Sequence, residues 1–100
     1  METVKLDINE KGHGAFIINE GALKMAEMVI SISGNDLTVY HTEVAPEAEG
    51  KGLSKILIQA MAKHARDHQL KVIPLCPFVH AQFKRHPELY GDIWKKDSVQ

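Results

Sequence analysis

The stretch that decides the fold spans residues 37–68, whose sequence is LTVYHTEVAPEAEGKGLSKILIQAMAKHARDH. Its first eight residues alternate in character as a β-strand does, with Leu37, Val39, His41 and Glu43 predicted on one face and Thr38, Tyr40, Thr42 and Val44 on the other. Neither face is purely apolar, which indicates that one of them borders a site. After Pro46 the apolar residues recur at helical spacing, so we predict one amphipathic helix from about Gly50 to His68.

Four strands are predicted before this helix, separated by turn-forming residues. They span Val4 to Ile8, Gly14 to Ile18, Leu23 to Ser33 and Leu37 to Val44. The turns between them are Glu10-Lys11-Gly12, Asn19-Glu20-Gly21 and Gly34-Asn35-Asp36. Short turns between successive strands favour antiparallel hairpins.

The chain after the helix is predicted to return to the sheet. Lys71 to Leu75 is a short apolar strand, and a strand reached through a helix pairs parallel to the strand before it. A second helix is predicted from Pro77 to His86, with Pro87 ending it. The segment around Trp94 is predicted to pack back as a short turn or strand. The expected fold is α/β (α+β), one domain over residues 1–100 with a mixed, mostly antiparallel sheet and two main helices.

Composition excludes several classes of protein. The chain has 100 residues, 44% of them hydrophobic and 25% charged, which is typical of a globular domain. Its 12 basic and 13 acidic residues give a net charge of -1, so no basic surplus predicts nucleic-acid binding. The single cysteine excludes an intramolecular disulfide, and no apolar run approaches the roughly 20 residues of a membrane span. Since the first residues also lack a signal-peptide pattern, we expect a cytoplasmic protein that binds neither nucleic acid nor membrane.

Gly50 and Gly52 lie between the predicted strand and the predicted helix. In that position several backbone N–H groups and the helix N-terminus point at one spot, which favours a phosphate group. A side chain at either glycine would hold a phosphate away from the amides. The alternative is that the glycines only allow the chain to turn into the helix and bind no ligand. A lone G-x-G pattern does not decide between a phosphate site and this structural role.

Three motifs in order extend this pattern. They are His41-Thr42-Glu43-Val44, then Glu47-Ala48-Glu49-Gly50-Lys51-Gly52-Leu53, then Pro74-Leu75-Cys76-Pro77-Phe78 followed by Arg85-His86-Pro87. The middle motif resembles the Q/R-x-x-G-x-G/A signature of the GNAT superfamily of acetyl-CoA-dependent N-acetyltransferases. The three motifs together resemble the small, single-domain YjdJ-type subfamily.

The resemblance implies a fold, a cofactor and a site. The parallel strand pair would splay apart at a groove for acetyl-CoA, with the pantetheine arm beside residues 42–44. The acceptor would be an amine, on a small molecule or on a protein, that the sequence does not identify. Catalysis of N-acetyl transfer would fall to Cys76 and His41. The residues expected to contact acetyl-CoA or coenzyme A are Thr42, Glu43, Val44, Glu49, Gly50, Lys51, Gly52, Leu53, Ser54, Cys76, Phe78, Phe83 and Arg85.

Two departures from the family pattern leave other functions open. Glu47 and Glu49 stand where the family prefers Gln, Arg or another basic residue, which supports a structural or partner-binding domain with a degenerate loop. Full-length family members also carry helices between their first two strands that shape the acceptor site, and this sequence has none there. That difference supports a CoA-binding or acyl-carrying module without efficient turnover.

Each proposed catalytic residue has a structural alternative. Cys76 is expected at the cap of the second helix, where the helix dipole and free N–H groups favour a thiolate. By the resemblance it would lie beside the thioester and accept the acetyl group, whereas its apolar neighbours favour a small buried core residue. His41 would act as general base for an amine or for the thiol, or as a structural histidine bonded to a backbone carbonyl.

The remaining candidates also have two interpretations each. Phe78 and Phe83 either belong to the core or cover the pantetheine arm. Arg85 either contacts the ribose phosphate or is a solvated helix end. His64 and His68 lie four residues apart on the first helix without a third ligand nearby in sequence, so we predict no metal site.

Overall fold

A five-stranded sheet with three helices makes up the part of the chain that the computed structural model describes, residues 3–96. The elements are β1 (Val4–Ile8), β2 (His13–Glu20), β3 (Leu23–Ser33), β4 (Asp36–Val44), a 3-10 turn (Pro46–Ala48), α1 (Leu53–Asp67), β5 (Lys71–Pro74), α2 (Pro77–Arg85) and α3 (Pro87–Tyr90). The strands lie in sequential order, antiparallel from β1 to β4 and parallel between β4 and β5. The predicted mixed, mostly antiparallel sheet is confirmed, whereas the predicted domain limits at residues 1 and 100 lie outside the described residues.

A β-bulge at Tyr40 divides β4 into two halves. Val39 pairs with Ile30 and His41 pairs with Val29, so two adjacent residues of β3 face three residues of β4. Tyr40 is the extra residue. After the bulge, the pairing of β4 with β3 resumes at His41, so the side chains that follow point to the opposite face from the one that strict alternation predicts.

This phase shift corrects the predicted faces of the strand. Thr42 pairs with the fully buried Met28, so it lies on the face that the helices cover. His41 and Glu43 lie on the other face and are exposed. The prediction that they share a face with Val39 is wrong, because strict alternation holds only while every residue faces one partner.

The helices cover one face of the sheet and leave the other open. The most buried side chains of the covered face, each at most 1% exposed, are Ile18, Met28, Ile30, Leu37, Val39 and Val72. They pack in one cluster with helix residues that include Leu57, Ile58, Met61, Val79 and Phe83. Burying one such side chain contributes about 1.5–3 kcal/mol, so this seam is the main source of stability. The opposite face has no helix over it among residues 3–96.

The chain after α2 returns to the edge of β5. Trp94 forms an isolated parallel bridge with Val72, which confirms the predicted return of this segment to the sheet. Arg66 of α1 holds the segment through hydrogen bonds from Nε and Nη2 to the Asp92 carboxylate at 2.8 and 3.1 Å.

Pro87 begins α3, a turn of helix that the prediction missed when it took this proline only as the end of α2. Within residues 3–96 no helix is both long and apolar enough to cross a membrane.

His64 makes the stability of the fold depend on pH. Its ring packs edge-on against Phe16, with centroids 5.7 Å apart, and lies 4.2 Å from the ring of His68. Burial, and to a lesser extent the charge of His68, lower the pKa of His64 below its ordinary value of 6.5. The unfolded chain therefore binds the proton more tightly than the folded one. The free energy of unfolding is expected to fall as the pH falls through 6.5 towards the folded-state pKa.

A His64→Gln variant should show a flatter pH dependence, because it removes the group whose protonation favours unfolding. Urea denaturation of both proteins at about pH 7.5 and about pH 5.5 measures the two slopes. His13→Gln, a change at an exposed position of β2, is the matched control and should keep the wild-type slope. Equal slopes in wild type and His64→Gln would contradict the assignment.

Candidate functional site

The parallel pairing between β4 and β5 ends halfway along β4. The register covers four residue pairs and ends where Val39 faces Pro74. The Cys76 N–H then donates to the Val39 carbonyl at 2.9 Å. Beyond that bond, residues 40–44 have no partner on β5. The strands therefore splay apart, and one main-chain edge of β4 faces a cleft.

Two glycines with left-handed backbones lead from this splay into α1. Gly50 has a φ of 87° and Gly52 a φ of 76°, angles that residues with a side chain rarely adopt. Gly52 is the N-cap of α1, and no side chain of the described residues caps the first turn of that helix. The first N–H groups of α1 are therefore available, with the positive end of the helix dipole behind them. This arrangement favours an anionic ligand.

Two cavities meet at the start of α1 and share Gly52 and Ser54. The first, of about 270 Å³, is lined by Val44, Ala48, Glu49, Gly50, Gly52, Leu53 and Ser54. The second, of about 450 Å³, lies between α1 and α2 and is lined by Gly52, Ser54, Lys55, Gln59, Phe78, Gln82, His86, Leu89 and Tyr90. We call the two together the loop cleft.

Beside the expected contact Phe78, the second cavity brings in Gln59 and Gln82, which the sequence did not single out as ligand contacts. Lys55 and Gln59 are four residues apart on α1, and Phe78, Gln82 and His86 follow the same spacing along α2. Residues four apart share one face of a helix, so this spacing was the available signal. It does not say which two helix faces meet, because that depends on how the helices pack on the sheet.

Cys76 lies where β4, β5 and α2 meet. It is the N-cap of α2 and is only 2% exposed. Its Sγ lies 3.5 Å from Thr42 Oγ1, on the other side of the splay. The Cys76 thiol thus has the Thr42 hydroxyl as its polar neighbour and lies at the N-terminus of α2. It is located where β4 and β5 begin to separate.

A family model described as GCN5-related N-acetyl-transferase matches residues 15–93. The chain belongs to this family. The matched region contains the splayed strands, the glycine loop, both cavities and Cys76. The small YjdJ-type subfamily is a finer assignment that stays a prediction.

Two solved structures resemble this one. A GCN5-like protein of Staphylococcus aureus, solved by NMR in solution, is 29% identical, with a TM-score of 0.64 over 90% of this chain and 86% of that one. The ribosomal-protein-S18-alanine N-acetyltransferase of Escherichia coli is 12% identical, with a TM-score of 0.60 over 66% of this chain and 43% of that one. The second likeness concerns the fold alone. No curated protein matches the chain significantly.

Most residues expected at the cofactor of this GNAT protein gather at the loop cleft. Six of them line the first cavity, namely Val44, Glu49, Gly50, Gly52, Leu53 and Ser54. Lys51 is exposed between the two glycines, and Thr42 is half-buried beside Cys76. Glu43 lies instead on the open face of the sheet.

The two aromatic candidates separate. Phe78 is half-buried and lines the cavity between α1 and α2. Phe83 is 0% exposed, stacks on Tyr90 with ring centroids 4.9 Å apart, and meets Trp94 edge-on at 5.8 Å. A ring without exposed surface has nothing to offer a ligand, so the core interpretation replaces the expected contact. Arg85 is exposed and lines neither cavity.

The two candidate catalytic residues lie on different sides of β4. Cys76 faces Thr42 on the helix-covered side, whereas His41 is exposed on the open side. His41 is therefore not placed to take a proton from the Cys76 thiol, and that part of its predicted role is wrong. A role toward an amine on the open face is compatible with its position.

Proposed function

We propose that this GNAT-family protein is an acetyl-CoA-dependent N-acetyltransferase whose acetyl donor binds at the loop cleft. The observation that carries the proposal is the uncapped start of α1 behind Gly50 and Gly52, beside the free edge of β4. An anion-binding helix start next to an unpaired strand edge suits a pyrophosphate joined to an extended arm of amides. Bound acetyl-CoA supplies an activated acetyl thioester.

The residues of the loop cleft fit such a donor. Apart from each glycine and its two neighbours in sequence, no atom of the described residues lies within 4 Å of the place where a Cβ on Gly50 or Gly52 would stand, so a pyrophosphate has room to approach the backbone there. The N–H groups at the start of α1 would hold the pyrophosphate, and the free edge of residues 42–44 would pair with the pantetheine arm. Lys55 would add positive charge in the second cavity. The donor and the unpaired thiol of the buried cysteine together favour a reducing, cytoplasmic location.

The two acidic residues of the loop are compatible with phosphate binding. Glu47 and Glu49 are exposed, so water and salt screen their charges. Lys51, also exposed, lies between them and the start of α1 in sequence. A degenerate loop without a ligand would show no heat on titration with coenzyme A, and calorimetry of the wild-type protein therefore tests this alternative directly.

Two routes of acetyl transfer are proposed from this cleft. In the covalent route, the Cys76 Sγ attacks the acetyl carbonyl, and CoA leaves as the free thiol with the proton that Cys76 gave up. The acceptor amine then attacks the Cys76 thioester, and the cysteine leaves as a thiol with a proton from the amine nitrogen. In the direct route the amine attacks the acetyl carbonyl of the donor itself, the acetyl–sulfur bond breaks and CoA leaves as the thiolate, while His41 accepts a proton from the amine nitrogen. His41 serves only the direct route, in which the amine approaches over the open face of the sheet, because Cys76 lies on the helix-covered side.

Intact mass spectrometry after incubation with acetyl-CoA distinguishes the routes. We expect the wild type to gain one acetyl group and Cys76→Ala to gain none, because the alanine has no nucleophile. N-acetylation of an accepted amine should fall at least about 100-fold in Cys76→Ala if the thioester is on the path. Thr42→Val, which removes the neighbouring hydroxyl and keeps the thiol, is the matched control and should still be acetylated. If the wild type stays unmodified and Cys76→Ala keeps full turnover, the covalent route is excluded and only the direct route remains.

A CoA-binding or acyl-carrying module is the second candidate, and one observation favours it. Only residues 9–12 connect β1 to β2, and no helix among residues 3–96 covers the open face where an acceptor would bind. Release of free CoA in the presence of candidate amines separates the two functions. An acetyltransferase releases CoA continuously, whereas a carrier stops after each chain has been acetylated once.

A further inference from the structure

The outer edge of β1 is the sheet edge with which no other segment of residues 3–96 pairs. β1 stands first in the strand order and pairs only with β2. At the opposite edge of the sheet, the Val72 N–H donates to the Ile93 carbonyl and the Val72 carbonyl accepts from the Lys95 N–H. An unpaired edge presents a row of N–H and C=O groups to which another strand can bond.

Half of the main-chain groups of β1 point out from this edge. The Asn9 N–H donates to the His13 carbonyl at 2.9 Å, and the same register continues along β1. Every second residue back from Asn9 therefore bonds toward β2 as well, because main-chain groups alternate in direction along a strand. The residues between them, which direct their N–H and C=O groups outward, are Val4, Leu6 and Ile8.

The side chains of β1 alternate between apolar and charged, with one charge of each sign. The apolar residues lie on the helix-covered face, since Leu6 pairs with the buried Phe16. Lys5 and Asp7 lie on the open face and are exposed. Among residues 3–96 neither of them forms an ion pair. Both charges are therefore free to meet a charge on a neighbouring strand.

These charges decide how two copies of β1 can pair with each other. In an antiparallel register centred on Leu6, Lys5 of each copy lies opposite Asp7 of the other copy, and the outward main-chain groups face one another. A register centred on Lys5 or on Asp7 would set two like charges directly opposite each other, which destabilises a strand pair. The register centred on Leu6 also aligns β1 along its whole length. The sequence of the strand is therefore complementary to itself in one register.

The apolar side of the same edge has room for side chains of a second copy. A cavity of about 250 Å³ lies between the first two strands and α1 and is lined by Val4, Leu6, Phe16, Ala60, Lys63, His64 and Asp67. Ile8 is 36% exposed, although it is an apolar residue. In the register centred on Leu6, Ile8 faces Val4 of the other copy, beside this cavity. Pairing would therefore cover apolar surface as well as main-chain groups.

We propose that the protein forms a homodimer in which two copies of β1 pair antiparallel about a twofold axis at Leu6. The two five-stranded sheets then join into one continuous sheet. Leu6 exchanges both of its main-chain hydrogen bonds with Leu6 of the other copy, and Lys5 forms an ion pair with Asp7 of the other copy. The loop clefts lie toward the two outer ends of the joined sheet, so both stay open to ligands. The dimer does not depend on the proposed function.

Sedimentation equilibrium of the full chain, from about 10 µM to about 1 mM, tests the dimer. We expect a dissociation constant of roughly 10–100 µM, because the paired strands are short and the interface is small. Lys5→Asp and Asp7→Lys each set like charges opposite each other and should weaken self-association at least about 10-fold. An equimolar mixture of the two variants should associate like the wild type, because every aspartate then faces a lysine.

Lys84→Asp and Glu47→Lys are the matched controls for the two charge changes. They alter the net charge by the same amounts at exposed positions outside β1, and both should dimerise like the wild type. Hydrogen exchange followed by NMR at about 1 mM locates the interface. The outward amides of β1 should exchange about 5-fold more slowly in the wild type than in Asp7→Lys, because pairing shields them from water.

Loss of association in both single variants, with recovery in their mixture, would support the proposal, since variants that fail to fold could not recover. A wild type that stays monomeric at about 1 mM would overturn it. Association that survives in both variants would also overturn it, because the copies would then meet through another surface. So would slow exchange of the outward amides in a monomeric wild type, because another part of the same chain would then cover the edge.

Discussion

Replacing Gly52 with aspartate is expected to weaken the binding of coenzyme A at least about 100-fold, or about 2.8 kcal/mol. The new carboxylate would stand in the open space beside the first N–H groups of α1. There it would itself accept hydrogen bonds from those groups and repel the pyrophosphate. Isothermal titration calorimetry of wild type and variant with CoA measures the effect.

Gly34→Asp is the matched control for that variant. Gly34 has a φ of 59° and equally open space at its Cβ position, but it lies in the turn between β3 and β4. The two variants thus add the same charge and cause a similar backbone strain, because each places a side chain at a positive φ. Gly34→Asp should bind CoA like the wild type. Equal affinities in wild type and Gly52→Asp would remove the glycine loop from the proposed site.

Phe83→Ala is expected to destabilise the protein by about 3–5 kcal/mol, since it leaves a cavity in place of a fully buried ring. The stacked contact with Tyr90 and the edge contact with Trp94 are lost at the same time. Small domains have about 5–15 kcal/mol of stability in total, and the thermal midpoint should fall by at least about 12 °C. Thermal and urea unfolding followed by circular dichroism measure the change.

A Phe78→Ala variant tests whether Phe78 contacts the ligand while Phe83, on the same helix, belongs to the core. Phe78 is half-buried in the wall of the α1–α2 cavity, so its truncation should cost only about 1 kcal/mol of stability. It should instead weaken CoA binding about 10-fold, because a wall of the loop cleft is lost. The reverse pattern, with Phe83 controlling affinity and Phe78 controlling stability, would contradict the assignment of the two rings.

The order of elements and the position of the loop could be predicted from sequence because they follow from local signals. The change from period two to helical spacing after Pro46 marks the passage from strand to helix. Gly50 and Gly52, which lie between the strand and the helix as predicted, have positive φ angles that suit glycine. Each of these signals depends on a few neighbouring residues, and no distant contact is needed to interpret it.

The faces of β4 could not be predicted because they depend on a contact between strands. The bulge at Tyr40 appears only when Val39 and His41 take their partners on β3, and nothing in the alternation itself marks the extra residue. One inserted residue moved His41 to the opposite face and separated it from Cys76. The prediction of a His41–thiol pair failed for this reason alone.

The contacts between α1 and α2 were missed for a related reason. Lys55 and Gln82 line one cavity, although 26 residues separate them in sequence. Each helix shows a plausible polar stripe, but the angle at which the two helices cross the sheet decides which stripes meet. Phe83 shows the converse case, since its helix turns it into the core.

The sequential strand order has a consequence for how such a protein can diversify. The proposed acetyl-donor cleft lies at the β4–β5 edge of the sheet, while the turn of residues 9–12 lies between the two strands nearest the other edge. New segments inserted in that turn could extend over the uncovered face without entering the β4–β5 pair or the glycine loop. Acceptor preference could therefore evolve by lengthening one turn while the donor-binding machinery stays under separate selection.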